Sequence, residues 1–278
     1  MSTLRIASWN CFGAAQSARA FLLRQGAPEP QRFEHHAVRG FLEAADVVCV
    51  QELWVHQARA LFDRLPFPHK AQDHNRTEWW PFTIGGAGLG VASRHPLVAE
   101  RVLAYSRPHA GAERLARKGA LHTRAALAGL ELDVITTHLQ AGTSPRAVQV
   151  RGRHLAELRA LIEAVGAPDR PMVVCGDFNI DGYGGGAAEY AALTSMLAGF
   201  RDLGAEADVP TYHPHPDHNP LAHRFDRHGR AQRIDYMFFR APPRGPQVRA
   251  FARALDVALE GGVHPSDHFA VVAELELG

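Results

Sequence analysis

Apolar residues recur in short runs along this chain. Runs of β type fall at 4–9, 46–51, 88–93, 97–105, 120–128, 130–137, 171–176, 234–239 and 268–275. Several, such as Val47-Val48-Cys49-Val50 and Met172-Val173-Val174-Cys175, are apolar at both parities, as a strand is when both faces of its sheet are covered. Helical periodicity fits 32–45, 56–65, 146–165 and 187–198. The third is clearest. Val148, Leu155, Leu158, Ile162 and Val165 keep helical spacing, Pro145 suits the first helical position, and Gly166 suits a stop. Strands and helices mixed in this way, with several adjacent strand pairs, predict mixed sheets packed face to face with helices outside. Segments 72–88 (with Trp79 and Trp80), 181–186 and 210–230 read as loops, where chemistry usually sits on a rigid scaffold.

Length adds that 278 residues suit one large α/β domain or two small ones, and no repeat or charge block divides them. Thirty Lys+Arg against 29 Asp+Glu give a formal charge of +1, which excludes a strongly basic nucleic-acid scavenger and an acidic tail protein. Only Lys70 and Lys118 are lysines, and the remaining cations are arginines, which suit bidentate phosphate contacts. No apolar run approaches the ~18–20 residues that span a bilayer. The opening Met-Ser-Thr-Leu-Arg-Ile-Ala-Ser-Trp-Asn reads as a strand and not as an export signal, so a cytoplasmic location is expected, with peripheral membrane contact left open. Cys11, Cys49 and Cys175 are odd in number and lack metal-type spacing, so they read as buried thiols in a reducing compartment.

Polar residues stand repeatedly at the ends of the apolar runs. Asn10 follows Ile6-Ala7-Ser8-Trp9, Glu52 follows Val47 to Gln51, and His138 follows Val134 to Thr137. Asp177 and Asn179 follow Met172 to Gly176, Asp235 lies in Arg233-Ile234-Asp235-Tyr236, and Asp267-His268 precede Phe269 to Val272. Burying such groups is costly unless they are paired or hold a metal. Carboxylates with an amide suit a hard, oxygen-preferring cation such as Mg²⁺. The histidines and further carboxylates suit acid–base work and charge stabilisation. Glu52, a carboxylate directly after an apolar strand, is the best candidate metal ligand.

These blocks resemble the endonuclease/exonuclease/phosphatase superfamily of metal-dependent phosphoesterases. The resemblance rests on Trp9-Asn10, Gln51-Glu52, Gly88-Leu89-Gly90 with Ser93-Arg94, Thr137-His138-Leu139, Gly176-Asp177-Phe178-Asn179, Arg233 to Tyr236, and Ser266-Asp267-His268, in family order over nearly the whole chain. It implies a single domain over 1–278 with a four-layer α/β sandwich fold: two mixed sheets face to face, with helices outside. It also implies Mg²⁺, with Mn²⁺ as an alternative, held by Glu52 with Asn10 and, directly or through water, Asp267. His268 would act as general base with Asp235 fixing its tautomer. Asp177 and Asn179 would position water or phosphate oxygens, and His138 would donate to a non-bridging oxygen.

Lys118-Gly119, His138-Leu139-Gln140-Ala141 and Arg146 with Gln149 are most similar to the neutral sphingomyelinase and phospholipase-C-like branch; Thr211 and Asn219 fit it more loosely. The chain departs from that branch between Tyr236 and Asp267, where an apolar aromatic hairpin is replaced by prolines, arginines and Phe251. The expected substrate is therefore a phosphodiester, with phospholipid headgroup release ahead of a DNA or RNA phosphodiesterase and of a sugar, inositol or nucleotide phosphomonoesterase. A catalytically dead binding protein would have lost residues that are all present here. Tyr212-His213-Pro214-His215-Pro216-Asp217-His218 lacks regular zinc-motif spacing and reads as a loop at the substrate edge.

Overall fold

The computed structural model describes residues 2–13, 29–73, 77–79, 82–84, 86–106, 113, 117–207 and 209–277, with backbone only at 77–79 and 82–84. Strands β1 (Ser2–Asn10), β2 (Val47–Gln51), β3 (His69–Gln72), β6 (Gly90–Ser93), β13 (Gln247–Ala254) and β14 (Ala270–Leu277) form one six-stranded sheet in the order β13-β14-β1-β2-β6-β3. Strands β7 (Leu97–Ala104), β8 (Gly119–Leu127), β9 (Leu130–His138), β10 (Met172–Asp177), β11 (Arg201–Asp202) and β12 (Asp235–Arg240) form the second, ordered β11-β12-β10-β9-β8-β7. A two-stranded ribbon pairs β4 (Thr77–Trp79) with β5 (Phe82–Ile84). Both large sheets are mixed, because β1 runs parallel to β2 and β9 parallel to β10 while their other pairings are antiparallel.

Side-chain alternation explains why the central strands are apolar on both parities. Leu4, Ile6, Val47 and Cys49 face Val134, Val173, Cys175 and Met237 in the layer between the sheets. The opposite parity, Ala7, Trp9, Val48 and Val50, packs on helices α1 (His36–Glu43) and α2 (His56–Arg64) through Val38, Leu42, Leu61 and Phe62. On the far side Ile135, Val174 and Phe238 meet α3 (Pro145–Val165) and α4 (Ala187–Met196) through Leu155, Leu158, Ile162 and Leu193. Each buried Val, Leu, Ile, Phe or Met side chain among these contributes about 1.5–3 kcal/mol. The result is the four-layer α/β sandwich expected. Helix α3 begins as the sequence implies, with the Ser144 side chain accepting from the Ala147 amide (3.2 Å) and Pro145 opening the first turn.

Some elements differ from the reading of the pattern. The helix expected over 32–45 is divided: a 3-10 turn at Pro30–Phe33 precedes α1, whose start is capped by the His35 ring. The segments read as loops contain the ribbon and a short helix α5 (Pro220–Phe225) capped by Asn219. The last strand starts at Ala270 rather than 268, since Tyr212 takes up an isolated bridge with His268. Trp80 and the Trp79 side chain, in the first of the segments read as loops, lie outside the described residues.

Candidate active site

Strand register gathers the polar residues at one edge of the sandwich. Parallel pairing sets Asn10 beside Gln51 in the first sheet and His138 beside Asp177 in the second. Antiparallel pairing sets Asp235, at the start of β12, against Asp177, at the end of β10. The buried Gln51 amide joins the sheets here, donating to Ser8 Oγ (3.2 Å) and Thr136 Oγ1 (2.8 Å). A cleft of about 730 Å³ opens at this edge, lined by Glu52, His138, Asp177, Asn179, Asp267 and His268 among others. Asn10 and Asp235 stand behind it, both buried. All eight residues expected at the site are thus brought together.

The backbone at the strand ends is contorted to achieve this. Phe12, Glu52 and Asn179 occupy the left-handed region at φ of 51°, 65° and 52°. Such positions cost of order 1–3 kcal/mol each and concentrate at functional sites. Gly13 permits the turn at Glu52, since a Cβ there would fall 1.9 Å from the Glu52 carbonyl. Gly176, at φ +129°, permits β10 to approach β9, since its Cβ would fall 2.1 Å from the Thr137 carbonyl.

The side chains form two linked groups. In the first, Asn10 Nδ2 donates to Asp177 Oδ2 (3.0 Å) and to Glu52 Oε1 (3.3 Å), and Asn10 Oδ1 accepts from the Phe12 amide. Glu52 Oε2 is buried with no hydrogen-bond partner. Burial pushes the Asp267 carboxyl up to about 7; the negative charge of Glu52 adds to this, while His268 and Arg32 oppose it. An orphaned carboxylate oxygen beside a second carboxyl and an amide is a donor set that fits a hard divalent cation.

In the second group, His268 Nδ1 lies 2.8 Å from Asp235 Oδ2, and His268 Nε2 faces Asp177 Oδ2 at 3.9 Å. Burial lowers the basicity of His268, but the carboxylates of Asp235, Asp267 and Asp177 outweigh it and hold the imidazole well above its ordinary range. Asp235 is itself raised by burial, with His268 opposing. Burial would raise Asp177 too, but His138, His268 and Lys118 hold it below the usual carboxylate range. Thr211 Oγ1 accepts from the Ile234 and Asp235 amides and so fixes the entry to β12.

Several residues of the site are not visible as site residues in the sequence. Lys118, 1% exposed, places Nζ 2.6 Å from both His138 Nε2 and Glu113 Oε1, under the Trp54 ring that stacks on His138. Arg32, also 1% exposed, donates to the carbonyls of Cys11 (2.6 Å), Phe12 and Pro265 (2.6 Å), joining the loop after Asn10 to the one before Asp267. Ser266 Oγ donates to the Asn10 carbonyl (2.7 Å), and Asn219 Nδ2 donates to the carbonyls of Ser266 (2.9 Å) and Asp267 (3.2 Å). Lys118 and Asn219 carry a signal only through the motifs they stand in. Arg32 carries none.

An Asp–His pair beside oxygen donors, at the open edge of a two-sheet sandwich, defines the class: a metal-dependent phosphoesterase. The chain belongs to the Endonuclease/Exonuclease/phosphatase family, which it matches over residues 7–268. No curated protein sequence matches it. Among solved structures it is similar to sphingomyelinase C from Streptomyces griseocarneus (TM-score 0.74, 20% identity, 99% of this chain and 100% of that one). It is also similar to D. rerio TDP2 complexed with a single-strand DNA product (0.72, 19%, 99% and 100%). A double mutant of Staphylococcus aureus beta toxin with bound magnesium ions is a third (0.74, 16%, 98% and 99%). At these identities the likeness is one of fold. Among the described residues no helix is long and apolar enough to cross a membrane.

Proposed function

We propose that the chain is a Mg²⁺-dependent phosphodiesterase that releases the headgroup side of a phospholipid-like diester, with His268 as general base. The observation that carries the chemistry is the His268–Asp235 pair at 2.8 Å, with His268 Nε2 directed into the cleft toward Asp177. Asp235 accepts from Nδ1–H, which leaves the Nε2 lone pair to take a proton from attacking water. Glu52, with Asn10 and Asp267, would hold the cation, which supplies charge neutralisation at the phosphate oxygens; Mn²⁺ would fit the same oxygen donors. Asp177 and Asn179 orient the reacting groups: the Asn179 amide donates to Asp177 Oδ1 (2.9 Å), and Asn179 Nδ2 is held by the Leu139 carbonyl (3.2 Å). Lys118 Nζ, 2.6 Å from His138 Nε2, adds its positive charge beside the imidazole, and the pair would meet the negative charge that grows on a non-bridging oxygen. In-line displacement at phosphorus needs positioning and charge stabilisation more than covalent help.

The preference for a small headgroup over a polynucleotide rests on the cleft's arginines. Arg151 is bidentate to Glu189 (2.9 and 2.7 Å), and Arg230 is paired with Asp181 (3.1 Å). Both described arginines of the lining are committed to carboxylates, whereas a nucleic-acid track needs cations ready to replace counterions. The single-strand DNA complex of the similar TDP2 favours the nuclease as second reading. Purified enzyme with Mg²⁺ is assayed on micellar sphingomyelin, lysophosphatidylcholine, plasmid DNA and inositol phosphates. Phosphocholine release, abolished by His268→Ala, is expected. Plasmid cleavage without phosphocholine moves the assignment to a nuclease, and inorganic phosphate alone moves it to a monoesterase.

A further inference from the structure

The loop between Thr211 and Asn219 gathers histidines that the catalytic reading leaves unused. Ring centroids lie 3.9 Å apart for His213 and His218, 5.6 Å for His215 and His218, and 6.2 Å for His213 and His215. Two imidazoles on one tetrahedral Zn²⁺, with Zn–N of about 2.0–2.1 Å, have centroids about 5 Å apart. The three separations straddle that value. The ring nitrogens do not converge as the rings stand; His215 and His218 are exposed, and a shared ion requires the His218 ring to leave its stack on His213.

The backbone beneath them is fixed. The His218 and Asn219 amides donate to the His215 carbonyl (3.0 and 2.8 Å), and the His215 amide to the His213 carbonyl (2.8 Å). The Asp217 amide donates to His215 Nδ1 (3.2 Å), a bond that ligation through Nδ1 would replace. Both feet of the loop stand on the catalytic strand entry. Tyr212 bridges His268 through the backbone and lays its ring 5.3 Å from the imidazole, and Asn219 holds the Ser266 and Asp267 carbonyls.

We propose that His213, His215 and His218 form a site for a borderline transition-metal cation of the Zn²⁺ type, separate from the oxygen-donor site at Glu52, and that its occupancy fixes the loop against Asp267–His268. Imidazole nitrogen suits Zn²⁺ and is a poor match for Mg²⁺, so the two sites select different ions. The site does not depend on which diester is cleaved.

Calorimetric titration of Zn²⁺ into enzyme saturated with Mg²⁺ tests this in three proteins: wild type, the triple variant His213→Ala/His215→Ala/His218→Ala, and Glu52→Gln. One Zn²⁺ per chain is expected in wild type and in Glu52→Gln, with binding weakened at least ~30-fold in the triple variant. Zn²⁺ should also raise the melting temperature of wild type but not of the triple variant. Equal titrations of wild type and triple variant, or binding lost only in Glu52→Gln, overturn the proposal. If the triple variant is unfolded before Zn²⁺ is added, the single exposed-site variants His215→Ala and His218→Ala decide. Each should bind at least ~10-fold more weakly, and undiminished binding in both refutes the site.

Discussion

Arg32→Met isolates the brace between the two loops that carry Asn10 and Asp267. Methionine keeps a flexible apolar stem against Phe33, over whose ring the guanidinium lies at 4.0 Å, and removes three charge-assisted hydrogen bonds to buried carbonyls. Such bonds contribute about 1.5–3 kcal/mol each, or roughly 4–9 kcal/mol together. Against this stands the guanidinium's own desolvation: burial pulls its pKa down to about 10, more than two units below its ordinary value, although Cys11, Asp267 and Glu52 oppose the shift. That difference offsets about 3 kcal/mol. The net loss is therefore on the order of 3 kcal/mol, or about 6–12 °C in Tm, read by thermal melting followed by circular dichroism. Because Pro265 directly precedes Ser266-Asp267-His268, kcat should fall as well, measured at a temperature where the variant remains folded. Arg32→Lys should lie between. A Tm within about 2 °C of wild type would show that the three carbonyls find other partners and that the brace reasoning is wrong.

Glu52→Gln should abolish divalent-metal activation while retaining a wild-type circular dichroism spectrum, and full turnover of the wild type in chelator, with metal removal verified, would refute the metal's role. His268→Ala should lower kcat at least ~10²-fold when chemistry limits turnover. Since the base must be deprotonated, kcat/KM should rise with pH. Asp235 is a group that raises His268, so Asp235→Asn should move that rise to lower pH as well as slow the reaction. Far from the cleft, burial would raise the Asp133 carboxyl, but His122, Arg170 and Arg124 bring it from 3.8 to about 2. A lowered folded pKa stabilises above the unfolded value and is lost as pH falls through the folded one. Asp133→Asn should therefore cost roughly 2 kcal/mol at pH 7, a difference that shrinks below about pH 4 in urea titrations.

Sequence pattern reveals this molecule unevenly, for physical reasons. The central strands β1, β2, β10 and β12 are covered on both faces, so their apolar runs stand out from any loop. The edge strands β3 and β13 of the first sheet do not. His69–Gln72 has one buried residue in four, and Gln247–Ala254 has none, with Arg249 and Arg253 interrupting its apolar positions, so neither makes an apolar run. Helix α5 is too short for a period to show. At the site, carboxylates and histidines at strand ends are conspicuous because each is costly to bury among apolar neighbours. The residues that hold them are not. Arg32 meets Pro265 across 233 positions and Gln51 meets Thr136 across 85, and nothing local in the chain encodes either contact.

The first sheet places β1 between β2 and β14, with Ser2 opposite Leu277. A strand from one end of the chain thus waits for a partner from the other, and such non-local pairing is slow because loop-closure entropy must be overcome first. Until β14 arrives, β1 presents an open hydrogen-bonding edge, the kind of surface on which folding intermediates aggregate. Strand β14 follows Asp267-His268 with only Phe269 between. Recovery of turnover during refolding should therefore wait on the docking of β14: a sandwich already holding Glu52 and Asp177 but not yet closed by this strand would still lack His268 in place.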